Sequence, residues 1–140
     1  MAEANGPSRM SADDRRRQLI EVSIDLFARK GFAGTTTKEI AAAAGVTEAI
    51  IFRHFATKQD LYSAIVGQMF SPPETEDWIR EMQLLMDRKD DEGVVRLLIG
   101  SLLTFCRTNP KYERLMMYAA LEGNELAVMH QNEIARPIAE

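Results

Sequence analysis

The chain has 140 residues, 46% of them hydrophobic and 27% charged. That is enough for one ordinary domain or two small ones sharing an interface, and it excludes wholesale disorder. Five Pro and eight Gly among many Ala, Leu, Met and Glu favour helix over sheet. The single cysteine, Cys106, excludes an internal disulfide and a Cys-rich zinc module and fits a reducing compartment. Two histidines, His54 and His130, leave little room for a His-based metal site, and no cofactor is implied. No apolar run reaches the roughly 18 residues that cross a bilayer, and the start carries no secretory signal. Residues 1–14 are expected to be a disordered tail on a soluble, cytoplasmic protein.

The net charge is −4, which by itself argues against nucleic acid. Its distribution argues otherwise. Residues 1–66 hold 9 Lys/Arg and 8 Asp/Glu, a net of +1, and residues 67–140 hold 8 and 13, a net of −5. Phosphate attraction acts over about one Debye length, roughly 8–10 Å in physiological salt. A DNA-binding half therefore needs only a few placed cations. A strongly basic, histone-like binder is excluded.

In chain order, the apolar residues Leu19, Ile20, Ile24, Leu26 and Phe27 recur at helical spacing and predict a helix from Arg15 to Lys30. Asp13 and Asp14 favour its start and Gly31 its end. Thr36-Thr-Lys-Glu39 matches a capping box and predicts a short helix to Ala44, broken at Gly45. Thr47 is expected to cap a further helix through Phe55. Thr57-Lys-Gln-Asp60 is a box-like cap for a fourth helix through Phe70, ended by Pro72-Pro73. Glu74–Arg88 is amphipathic, and Asp90-Asp91-Glu92 opens an apolar helix over about Gly93–Arg107. After Asn109-Pro110 a last helix, kinked at Gly123, is expected to run towards Ile138.

Two short helices joined by a tight glycine turn, over Thr36 to Phe55, are the geometry of a helix-turn-helix. Small Ala41–Ala44 let the helices lie close, and Ile40, Val46 and Ile51 have the spacing to fill the space beneath. The second helix, roughly 12 Å long at 1.5 Å per residue, is short enough to enter a major groove end-on. A plain helical hairpin with an Ala-rich interface has the same spacing.

An ordered series of segments then resembles the TetR/AcrR family of transcriptional regulators. They are Arg17–Gly31-Phe32, Thr35-Thr36-Thr37-Lys-Glu-Ile-Ala, Ala44-Gly45-Val46-Thr47 and Phe52-Arg53-His54-Phe55-Ala-Thr-Lys58-Gln-Asp60-Leu61-Tyr62. The resemblance implies an all-α chain. Its DNA-binding domain would span residues 15–66, joined by a fourth helix to a helical ligand-binding and dimerisation domain over residues 67–140. It further implies a repressor, acting as a homodimer through its C-terminal helices on a near-palindromic DNA operator and released by a small hydrophobic ligand.

By matching positions, Lys38, Glu48, Ala49, Ile50 and Phe52 would face bases. Thr37, Arg53, His54 and Lys58 would lie at phosphates, and Arg15, Arg16 and Arg17 would reach phosphates or a neighbouring minor groove. Thr36 and Thr47, at the two helix starts, complete the set. Phe52 stands where the family usually places Tyr, and Ile50 replaces a usual small polar residue. Glu48 either accepts from a cytosine amino group or faces solvent; an acid in a groove is otherwise repelled by phosphate. His54 also fits a packing role at the helix end, and Arg15–Arg17 a solvated helix start.

In the second half, Trp78, Met82, Met86, Leu98, Leu102, Phe105, Met116, Met117 and Tyr118 fit either the lining of an apolar ligand cavity or ordinary bundle core. Cys106 reads as a small buried hydrophobe. His130-x-x-Glu133 has ligand spacing but no second His near it. No P-loop, Gly-x-Ser-x-Gly or histidine pair points to an enzyme. Members of the family usually continue with two more helices, so the ligand domain reads as incomplete. The alternative class is a monomeric helical interaction or small-molecule-binding module with weak DNA affinity.

Overall fold

A computed structural model describes residues 10–69, 73–123 and 128. Among them the backbone forms seven helices and no strand. These are α1 (Ala12–Lys30), α2 (Thr37–Ala44), α3 (Glu48–His54), α4 (Lys58–Met69), α5 (Pro73–Asp87), α6 (Asp91–Thr108) and α7 (Pro110–Glu122). The all-α expectation holds, and no described helix is long and apolar enough to cross a membrane.

Local side-chain chemistry sets most boundaries. Ser11 Oγ accepts from the Asp14 amide at 3.1 Å, so α1 begins at Ala12, inside the segment expected to be a tail. At α2 the Thr36 hydroxyl accepts from the Glu39 amide and the Glu39 carboxylate accepts from the Thr36 amide, a complete capping box. Gly45, at φ 68° and ψ 33°, then closes α2: its N–H reaches Ala42 O and the Val46 N–H reaches Ala41 O. Asp60 and Thr57 bond reciprocally at the start of α4 in the same way.

Four expectations change. Thr47 makes no side-chain capping bond, and Phe55 is an extended cap rather than the last turn of α3. Pro73 opens α5, where a fixed φ suits a first turn. Gly123, at φ 68°, ends α7 instead of kinking it. The tail Met1–Arg9, Phe70 and Pro72, and the expected continuation past Gly123 with His130 and Glu133, fall outside the described residues, Val128 apart.

The core is built around α1. Leu19, Phe27, Ile40, Ile51, Leu61, Tyr62 and Ile65 are buried together. Phe27, Phe32 and Tyr62 form an aromatic trio with centroids 5.4–5.7 Å apart. Leu115 and Ala119 of α7 belong to the same cluster, so the core crosses the boundary expected at residue 66. α5 and α6 pack on one another, with Trp78 Nε1 donating to Ser101 Oγ at 2.8 Å. α6 has no buried residue.

The α1–α2 turn, Gly31–Thr35, is gripped from two sides. Lys58 Nζ of α4 donates to Phe32 O and Thr35 O, both at 2.9 Å, and lies 4.2 Å from the Phe32 ring centroid. Glu122 of α7 accepts from the Phe32 amide at 3.1 Å and from the Ala33 amide at 3.3 Å. Tyr118 Oη donates to Arg29 O at 3.0 Å. Burial, and then the Glu122 charge, pushes the Tyr62 phenol up from its ordinary pKa.

Glycine is required at position 31, where φ is 74° and a Cβ would fall 2.1 Å from Glu122 Oε1 and 2.8 Å from Tyr118 Cδ1. Gly31→Ala is expected to cost about 1–3 kcal/mol. Glu122→Ala added to it should cost little more, because the first change already displaces that carboxylate; denaturant titration of the double-mutant cycle reads this directly. A second prediction concerns pH. The Lys30 ammonium and the Thr36 amide hold the Glu39 carboxyl down at about 2, from an ordinary 4.5. Its stabilising share is therefore present above pH 4.5 and is lost as pH falls towards 2. Glu39→Gln should be the less stable protein at pH 6, with the difference closing across that window in thermal melts.

Candidate nucleic-acid interface

α3 is divided into two faces by its anchors. Ile51 and Phe55 point inward at 1% and 4% exposure, and Ala41 and Ala44 of α2 are buried beneath the turn. The C-terminal end of α3 is tied to α1. Arg16 donates to His54 O at 3.3 Å, with its guanidinium 4.4 Å from the Phe55 ring centroid. A cation at a helix C-terminus is also favoured by the helix dipole. Gln18 Nε2 reaches Ala44 O at 3.4 Å and so holds the end of α2.

With those residues turned in, Glu48, Ala49, Phe52 and Arg53 are turned out. Phe52 is 48% exposed, unusual for a large aromatic side chain with a core available. Ile50 and His54 are half-buried, and Lys38 on α2 and Thr47 in the turn are exposed beside them. Thr37 Oγ1 donates to Glu48 Oε2 at 2.7 Å, joining the first turns of α2 and α3. No described hydrogen bond or ion pair engages the Lys38 ammonium or the Arg53 guanidinium, and α7 packs on α1, away from this face. The surface offers one carboxylate, an apolar pair and two unengaged cations. That mixture suits base edges flanked by phosphates.

Other expected DNA-facing residues have structural partners. Lys58 points its Nζ back to the Phe32 and Thr35 carbonyls, which occupies two of its three donors. The Thr36 hydroxyl is held in the capping box. Arg16 is engaged on His54 O, Arg15 on Gln18 Oε1 and Arg17 on Asp14 at 3.7 Å, the last largely exposed. Gln18, Tyr118 and Glu122, which position the head, escape a reading of local pattern because their partners lie 26 to 90 residues away.

The nine residues expected around a ligand differ in exposure. Met86, Leu98, Leu102 and Met117 are 46–61% exposed. Trp78, Met82, Phe105, Met116 and Tyr118 are half-buried, with Trp78 bonded to Ser101 and Tyr118 to Arg29. An open cleft of about 300 Å³ lies between α1 and the α6–α7 corner, lined by Glu21, Ile24, Asn109, Lys111 and Tyr112 among others. α6 packs on α5 and α7 but buries no residue, so many of its apolar side chains face outward. Cys106 is half-buried.

Comparison with known proteins matches residues 19–65 to the family described as bacterial regulatory proteins, tetR family. The HTH-type transcriptional regulator AcrR of Shigella flexneri is 40% identical over 58 residues, 41% of this chain and 27% of that protein. The nucleoid occlusion factor SlmA of Aliivibrio fischeri is 29% identical over 123 residues, 86% of this chain and 61% of that one. The chain thus spans less than two thirds of either relative's length. The crystal structure of HlyIIR, a hemolysin II transcriptional regulator, superposes with a TM-score of 0.70 at 17% identity, covering 89% of this chain and 66% of that one, which shows a shared fold. The helix-turn-helix head thus resembles the tetR family of bacterial regulatory proteins over residues 19–65.

Proposed function

We propose that the protein is a DNA-binding transcriptional regulator that lays α3 in the major groove of an operator. The observation that carries this reading is the division of α3: Ile51 is 1% exposed while Phe52, its neighbour, is 48% exposed beside Glu48, Ala49 and Arg53. A seven-residue helix anchored along one side and bare along the other is shaped for reading a surface. Lys38 and Arg53, with Arg17 and His54 at the margins, supply phosphate contacts. Ala49, Ile50 and Phe52 supply apolar contact, including to thymine methyls.

Regulation is by repression, in the cytoplasm, as a homodimer on a near-palindromic operator released by a small hydrophobic ligand. The bare apolar side of α6 supports self-association, since Ile99, Leu102 and Leu103 are each more than half exposed. The seats of the ligand are the half-buried members of the expected set, brought together by that association. Sedimentation at several concentrations, joined to selection of bound DNA from a random pool, tests dimer and symmetry together; a monomer selecting an asymmetric site would overturn both.

A second reading, action in nucleoid occlusion, is favoured by one observation: the likeness to that factor runs through 123 residues, far past the head. Genome-wide occupancy separates the two. A few sites at promoters whose transcripts change on gene loss support regulation, and many scattered sites without transcript changes support the second.

Arg53→Ala should weaken binding to every sequence alike and shallow the log–log salt slope by about 1. Lys58→Ala should instead lower the melting temperature and keep the wild-type slope. A changed sequence preference with an unchanged slope for Arg53→Ala would count against its phosphate role.

A further inference from the structure

The Thr37–Glu48 pair has no place in an account built on cations and apolar contact. Glu48 is the first residue of α3, exposed, and in none of the described ion pairs. Thr37 is the first residue of α2 and half-buried, and its hydroxyl donates to Glu48 Oε2 at 2.7 Å. An unpaired glutamate on a surface gains most by swinging into water, where its torsions stay free. Here one oxygen is fastened to the preceding helix. The other is left with its lone pairs at the leading end of the segment proposed to enter the groove.

We infer that this pair is a specificity determinant, with Glu48 accepting from the exocyclic amino group of cytosine and Thr37 positioning it. The inference rests on the DNA-reading role of α3. The logic is one of exclusion. An ionised carboxylate only accepts hydrogen bonds. In the major groove guanine presents two acceptors, thymine an acceptor and a methyl group, and adenine an acceptor directly beside its amino group. Cytosine alone presents an amino donor without an adjacent acceptor on the same base. The carboxylate is repelled by every phosphate and by most base edges, so its contribution comes from rejecting the wrong bases as much as from binding the right one. Thr37 limits the directions from which Glu48 can meet a base and thereby sets which position in the half-site is read.

The test is selection of bound sequences from a random duplex pool by the full chain, comparing wild type with Glu48→Ala, Glu48→Gln and Thr37→Val, alongside affinity for one non-specific duplex. Wild type should require cytosine at one position of each half-site, disfavouring other bases by about fivefold or more. Glu48→Ala should flatten that position alone and bind the non-specific duplex more tightly, having lost a repelled charge. Glu48→Gln should move the preference to adenine, because an amide both donates and accepts. Thr37→Val should weaken the cytosine preference and leave the rest of the motif intact, which also shows that the head is folded. A Glu48→Ala motif identical to that of wild type overturns the inference and leaves the DNA-reading role standing. A wild-type protein that selects no motif overturns that role, and the inference with it. An unaltered preference in Thr37→Val removes Thr37 from the assignment.

Discussion

The α1–α2 turn is the constraint on which the head depends. Its carbonyls at Phe32 and Thr35 are held by Lys58 from α4, and its amides at Phe32 and Ala33 by Glu122 from α7. The Phe32 amide and the two carbonyls are part-buried, and a polar group left unbonded on full burial costs about 1–3 kcal/mol. Two oppositely charged side chains here supply charge-assisted bonds, and the ammonium also lies over the Phe32 ring. The turn fixes where α2 departs from α1, α2 fixes α3 through Gly45, and the exposed side of α3 inherits its orientation from both.

Most of the head was legible from local pattern. The capping box at Thr36, the left-handed Gly45 and the reciprocal Thr57–Asp60 cap depend on residues three or four apart, and the structure shows each of them. Ile51 and Phe52 fall on opposite sides because the helical period puts them there. What pattern cannot carry is pairing over distance. The carbonyl partners of Lys58 lie 23 and 26 residues away, beyond the reach of local pattern. Tyr118, which by spacing fits a cavity wall or bundle core, and Glu122 both bond to a turn about 90 residues back.

The C-terminal half was less legible for a related reason. An amphipathic sequence states that one side of a helix is apolar, not what covers it. α5 and α6 cover one another only in part, and the apolar side of α6 is left at the surface. The same residues therefore fit a bundle core, a ligand wall or a contact with another chain equally well by spacing. Only their exposure distinguishes these roles.

Leu115 and Ala119 are packed into the cluster that supports α3, beside Leu19 and Tyr62. A fragment ending at residue 66 would thus expose an oily socket on α1 and lose the Glu122 carboxylate that fastens the first turn. The piece that keeps α3 seated on an intact cluster therefore reaches through α7. A shift of α7 would press directly on the residues beneath α3.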